Sequence, residues 1–112
     1  MPGEMPEKTV YTITKSGRQL FYVLMDKYTD EKIKYHFEFN PVIVNLDKLS
    51  KPKSQQLVIK LKTKLEKRKQ DIKRDEQAWR TISKTGAVLL SQVQHVNDAL
   101  LDWIDELIHN LQ

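Results

Sequence analysis

The sequence predicts a mainly α protein: a short N-terminal β-strand, then long antiparallel helices forming a dimeric helical bundle or coiled coil. Three observations predict it. Residues 52–82 carry no Gly or Pro after the first turn and repeat an apolar residue at three-, four- and seven-residue steps. Residues 87–111 carry two apolar stripes side by side. Residues 9–13 instead alternate with the period of two that suits a strand half-buried on one face.

In chain order, Val10 and Thr12 point one way in the strand and Tyr11 and Ile13 the other. Thr14 ends it and is placed to cap a helix, because its hydroxyl can accept from a free N–H of the first turn. The helix spans residues 15–28, with Leu20, Phe21, Leu24 and Met25 at helical spacing. Asp30-Glu31-Lys32 closes it, and the weak alternation of Ile33, Tyr35, Phe37 and Phe39 suits an extended segment. Asn40-Pro41 reads as a helix start, an Asn cap with Pro at the first position, where its missing N–H costs nothing. A short helix through Val42, Ile43, Leu46 and Leu49 follows, and together with Phe37 and Phe39 it is expected to fill a small core against Leu20, Phe21 and Leu24.

Residues 50–54 break or re-cap the chain before the long helix, whose stripe is Val58, Leu61, Leu65, Ile72, Trp79 and Ile82. Arg68 and Asp75 occupy the two missing places on that seam, where they either pair across to another helix or snorkel out of it. Ser83-Lys84-Thr85-Gly86 is the break before the last helix. There, Leu89, Val93, Val96, Leu100, Trp103 and Leu107 make one stripe, and Leu90, Leu101, Ile104, Ile108 and Leu111 the other. Two stripes imply two partners. The long helix covers one, and a second copy covers the other, which places the expected dimer interface at Leu89, Val93, Val96, Leu100, Leu101, Trp103, Ile104, Leu107, Ile108 and Leu111.

Composition bounds the rest. With 112 residues and 39% hydrophobic content the chain is one domain's worth and buries a modest core. It has no cysteine, which excludes disulfides and thiolate metal sites and suits a reducing compartment. No signal peptide and no membrane-length apolar run is read, so the expected location is cytoplasmic, with no membrane partner. The net charge of +4 is uneven. Residues 51–80 hold eleven basic and four acidic side chains, while residues 81–112 hold one basic and four acidic, so the two helices are expected to attract or to present solvated charged faces.

No catalytic constellation is read, and an enzyme is not expected. His95 and His109 stand fourteen residues apart on one helix, about four turns, too far to share a metal. Asp98, Asp102, Asp105 and Glu106 read as a solvated face rather than an acid–base pair. No phosphate loop or nucleophile motif occurs, and no cofactor is implied. Trp79 and Trp103 sit on otherwise aliphatic seams, either as packing anchors or as stacking surfaces for a flat aromatic ligand.

The segment Tyr11-x-Ile13-Thr14-x-x-Gly17-Arg18, a strand feeding a helix, resembles the last wing strand of winged-helix repressors of the PadR type. The long C-terminal helix pair resembles the same family. The resemblance implies that residues 1–14 are a partial wing and residues 15–112 a helical dimerisation and effector domain. It also implies that Lys8 and Thr9 meet the DNA backbone at the wing tip, positioning without reading sequence. The helix-turn-helix of such proteins lies upstream of the wing, and only eight residues, rich in Pro and Gly, precede the strand here. The implied function is therefore that of a C-terminal region holding two winged-helix domains at fixed spacing, with DNA bound through an upstream winged helix and possible effectors of the phenolic type at the dimer centre. Two further readings stand beside it: a stand-alone helical interaction module, and a basic nucleic-acid binder acting through residues 51–80.

Overall fold

A computed structural model describes residues 12–111. The elements are α1 (Lys15–Asp30), α2 (Asn40–Val44), a single 3-10 turn (Leu46–Lys48), α3 (Lys51–Ile82) and α4 (Lys84–Asn110). Among the described residues there is no strand. Lys8, Thr9 and most of the expected strand lie outside the described residues, and residues 12–14 have no regular structure. The chain divides into two compact units, Met1–Phe37 and Glu38–Gln112.

In the first unit, α1 begins where the sequence placed it. Thr14 is extended, and its Oγ1 accepts from the Gly17 N–H at 3.0 Å. This satisfies one of the orphan donors of the first turn. Helical period gathers Leu20, Phe21, Leu24, Met25 and Tyr28 on one face, yet α1 buries none of its residues. Residues 32–37 carry no regular structure.

The core lies wholly within the second unit. Leu46, Val58, Leu65 and Ile104 are its buried residues, with Ile43, Leu61, Leu100, Leu101, Trp103, Leu107, Ile108 and Leu111 packed around them. Residues 42–49 therefore serve a core different from the one expected with Leu20, Phe21 and Leu24. Their helix also breaks in two. Asn45 Nδ2 donates to the Pro41 carbonyl at 2.6 Å, and the chain tightens into the 3-10 turn. Asn40 does not cap α2: the Phe39 carbonyl already accepts from Val42 and Ile43, so the helix starts one residue earlier than Asn40-Pro41 suggests.

Ser50 caps α3, accepting from the Lys53 N–H at 3.3 Å. Buried Ser54 donates its hydroxyl to the Leu46 carbonyl at 2.8 Å, tying the 3-10 turn to the first turn of α3. The break between α3 and α4 is one extended residue, Ser83, whose Oγ accepts from the Gly86 N–H at 2.9 Å. So α4 starts three residues before the expected position 87. The turn is tight enough that a Cβ on Gly86 would sit 3.1 Å from the Trp79 carbonyl oxygen, which explains a residue without a side chain there.

Candidate functional site: the two flanks of the helical hairpin

The long helices pack antiparallel, and four polar pairs cross between them, one of them Gln94 Nε2 donating to Glu76 Oε1 at 3.4 Å. Lys62 Nζ meets Asp105 Oδ1 at 2.7 Å, Lys69 Nζ meets Asp98 Oδ1 at 3.3 Å, and Asn97 Nδ2 donates to the Leu65 carbonyl at 3.2 Å. The basic and acidic helices thus attract within one chain. The hydrogen bond to Asp105, reinforced by its charge, holds the Lys62 ammonium above the usual lysine range. Both ion pairs are open to water, so each adds modestly to stability and more to register.

The line of α4 that faces α3 is Leu90, Asn97 and Ile104, the three residues buried on that helix. They stand seven apart. This corrects the expected division of α4 between two partners. Ile104, 0% exposed, cannot touch a second copy, and Leu101, Ile108 and Leu111 pack around the same core. Leu100, Trp103 and Leu107, from the other stripe, join that core too. Of the stripe assigned to a partner subunit, Leu90 and Ile104 are buried within the chain itself, and Leu101, Ile108 and Leu111 are half-buried. Of the expected interface residues, Leu89 (52%) and Val96 (43%) remain exposed, and Val93 is half-buried.

The reason is that α2 and the 3-10 turn cover only part of the hairpin's apolar surface. Phe39 stacks on Trp103, with centroids 5.8 Å apart and planes at 23°. That covers the C-terminal part of the α4 stripe. Towards the hairpin turn Trp79, Ile82, Val88, Leu89 and Val96 are exposed instead.

The two tryptophans are not brought together. Trp79 lies beside the turn at Gly86, and Trp103 is seventeen residues further along α4, about 25 Å at 1.5 Å per residue. A cavity of about 150 Å³ opens beside Phe39, lined by Val42, Ile43, Leu57, Val58 and Leu61, with Lys60 and Lys64 among its lining residues. It is the size of a cavity that admits one benzene ring.

A second cavity, of about 270 Å³, lies on the flank of the hairpin that carries Lys69, Lys73, Glu76, Gln94 and Asp98. Asn97 lines it, and its Oδ1 is buried without a hydrogen-bond partner. Sequence reasoning passed over Asn97, although its signal was legible as a polar gap midway between Leu90 and Ile104 on an apolar line. His95 turns its Nδ1 back to the Ser91 carbonyl at 2.7 Å. Among the described residues no three His, Asp or Glu side chains gather as a metal site, and no helix is long and apolar enough to cross a membrane.

Arg68 is exposed and makes no ion pair among the described residues, while Asp75 meets the adjacent Arg74 Nε at 3.3 Å. The two seam positions therefore do not pair with α4. No protein-family model, no curated protein and no solved structure matches the chain.

Proposed function

We propose that the chain is the dimerisation and effector-response region of a transcriptional regulator resembling the PadR type, holding two winged-helix DNA-binding domains at fixed spacing. One observation carries the dimer: the apolar group Trp79, Ile82, Val88, Leu89 and Val96 stays exposed on a long helical hairpin. Apolar residues gathered at one end of a hairpin are the surface that a partner removes from water. The Thr14-capped start of α1 supports the resemblance, because it falls at the expected change from wing to helix. A dimer of rigid hairpins sets the separation of whatever it carries, and so the spacing of two DNA half-sites.

Fusing the chain to a DNA-binding domain that represses only as a dimer tests this reading. Repression of a reporter with paired half-sites, lost when the half-site spacing is changed by half a helical turn, is the expected result. A fusion that stays inactive, with the free chain sedimenting as a folded monomer, would overturn it. A stand-alone interaction module is the second reading, favoured by the bare face of α1, where Leu20, Phe21 and Tyr28 are exposed. It predicts that fusions repress without regard to spacing, or not at all.

The effector in this reading is a planar aromatic acid. The cavity beside Phe39 supplies the apolar walls, and Lys60 and Lys64 the charge for a carboxylate. Phe39 lies against Trp103, so a ligand there disturbs the indole through the stack. Phenolic acids are expected to quench the intrinsic emission in a saturable way, and Trp103→Leu to abolish the change while leaving the helical signal intact. Unaltered emission across a panel of aromatic acids would remove the effector from the proposal.

A further inference from the structure

The seam of α3 contains a palindrome. Leu61, Arg68, Asp75 and Ile82 follow one another at seven-residue steps. They form one line along the helix, about 32 Å long at 1.5 Å per residue. Read in reverse, the order apolar, basic, acidic, apolar is its own complement. A second α3 laid antiparallel, with the two-fold axis between positions 71 and 72, puts Arg68 opposite the partner's Asp75 and Leu61 opposite the partner's Ile82. The same axis sets Lys64 against the partner's Trp79, a cation over an indole face.

The line is exposed at Arg68, Asp75 and Ile82, while Leu61 is half-buried at the cavity beside Phe39. Ile82 is 73% exposed and Trp79 39%. Arg68 has no carboxylate of its own among the described residues, and Asp75 meets its chain neighbour Arg74 on the surface. Exposed pairs of that kind are weak and are easily exchanged for a better-placed partner. Helical period also places the line on the flank of α3 opposite Lys69 and Lys73, which face the polar cavity. Leu89 and Val96 lie on the matching flank of α4 and widen the apolar strip on either side of the two charges.

We propose that this line is the two-fold interface of the dimer, with α3 packed antiparallel on α3 and a reciprocal Arg68–Asp75 pair on each side of the axis. The inference rests on the dimer reading above and names its surface. A second copy is the occupant because an isologous interface requires a surface that complements itself, and a palindromic charge order supplies one. An unrelated partner would need complementary charges but not this symmetry. The charges also fix direction, since a parallel α3 pair would place Arg68 against Arg68 and Asp75 against Asp75.

Sedimentation equilibrium of the full chain with charge-reversed variants tests the interface. Arg68→Asp sets acid against acid and Asp75→Arg sets base against base, so each is expected to weaken self-association at least about tenfold. The double variant R68D/D75R restores every pair and is expected to dimerise like the wild type. Mixing the two single variants is expected to produce a heterodimer, because one chain then presents two acids on the line and the other two bases, and both cross-pairs are opposite in charge. All these positions are exposed, and circular dichroism checks that each variant keeps its helices. A wild-type dimer whose single variants associate equally well would sink the α3 interface and leave the dimer reading standing. A wild type that stays monomeric at high micromolar concentration would overturn both.

Discussion

Ile104→Asp is expected to abolish the folded hairpin. Ile104 is fully buried among Leu46, Val58 and Leu65, with no polar partner in that cluster. Removing the side chain alone, as in Ile104→Ala, costs about 2–5 kcal/mol through lost burial and the cavity left behind. An unpaired carboxylate there adds several kcal/mol more, or is forced to protonate. Total stabilities of small domains are about 5–15 kcal/mol, so the carboxylate leaves little or none. Denaturant titration followed by circular dichroism checks both variants. Ile104→Asp should lack a cooperative transition at neutral pH and regain part of it in mild acid. An Ile104→Asp chain as stable as the wild type would mean that α4 presents a different face to α3.

Asn97→Leu is expected to act in the opposite direction. Asn97 occupies the midpoint of the line from Leu90 to Ile104, and its Oδ1 is buried and unpartnered. Leaving such an acceptor unsatisfied costs about 1–3 kcal/mol, and the Nδ2 bond to the Leu65 carbonyl returns about 1 kcal/mol. Leucine removes both terms and adds apolar burial, so a net gain of about 1–3 kcal/mol follows. A polar residue on an apolar seam fixes register at a cost in stability. Besides a higher unfolding midpoint, Asn97→Leu should therefore slacken the register, visible as faster amide exchange around the Lys62–Asp105 and Lys69–Asp98 pairs. A lower midpoint would show that the bond to Leu65 outweighs the orphaned oxygen.

Local features were legible in the sequence. Thr14 was legible as a cap, and residues 50–54 and 83–86 as breaks, while the structure selects Ser50 and Ser83 as the residues whose hydroxyls accept from the unpaired helix N–H groups. The length of α3 follows from a run without Gly or Pro, and its antiparallel partner from so short a connection. The charge imbalance between residues 51–80 and 81–112 left attraction and solvated faces both open, and the structure joins the helices by two ion pairs exposed to water. The legible features are properties of neighbouring residues, and periodicity carries them directly.

Which stripe meets which partner was decided elsewhere. The two stripes of α4 look equivalent in the sequence, with three leucines each. The structure instead points Leu90, Asn97 and Ile104 at α3, because Phe39, Ile43 and Leu46 arrive from outside the helices. By covering one flank at the C-terminal end of α4, that segment takes Trp103 into the packing around the core and leaves Leu89 and Val96 bare. Likewise Ser54 became buried through a hydrogen bond eight residues back, to Leu46, beyond any helical period. The sequence by itself determined that the long helices exist, where the first of them begins and that they are two-faced. Only the tertiary structure decided which face is spent inside the chain, because burial is divided among all the elements that can reach a surface, and a helical period cannot register a competitor from another part of the chain.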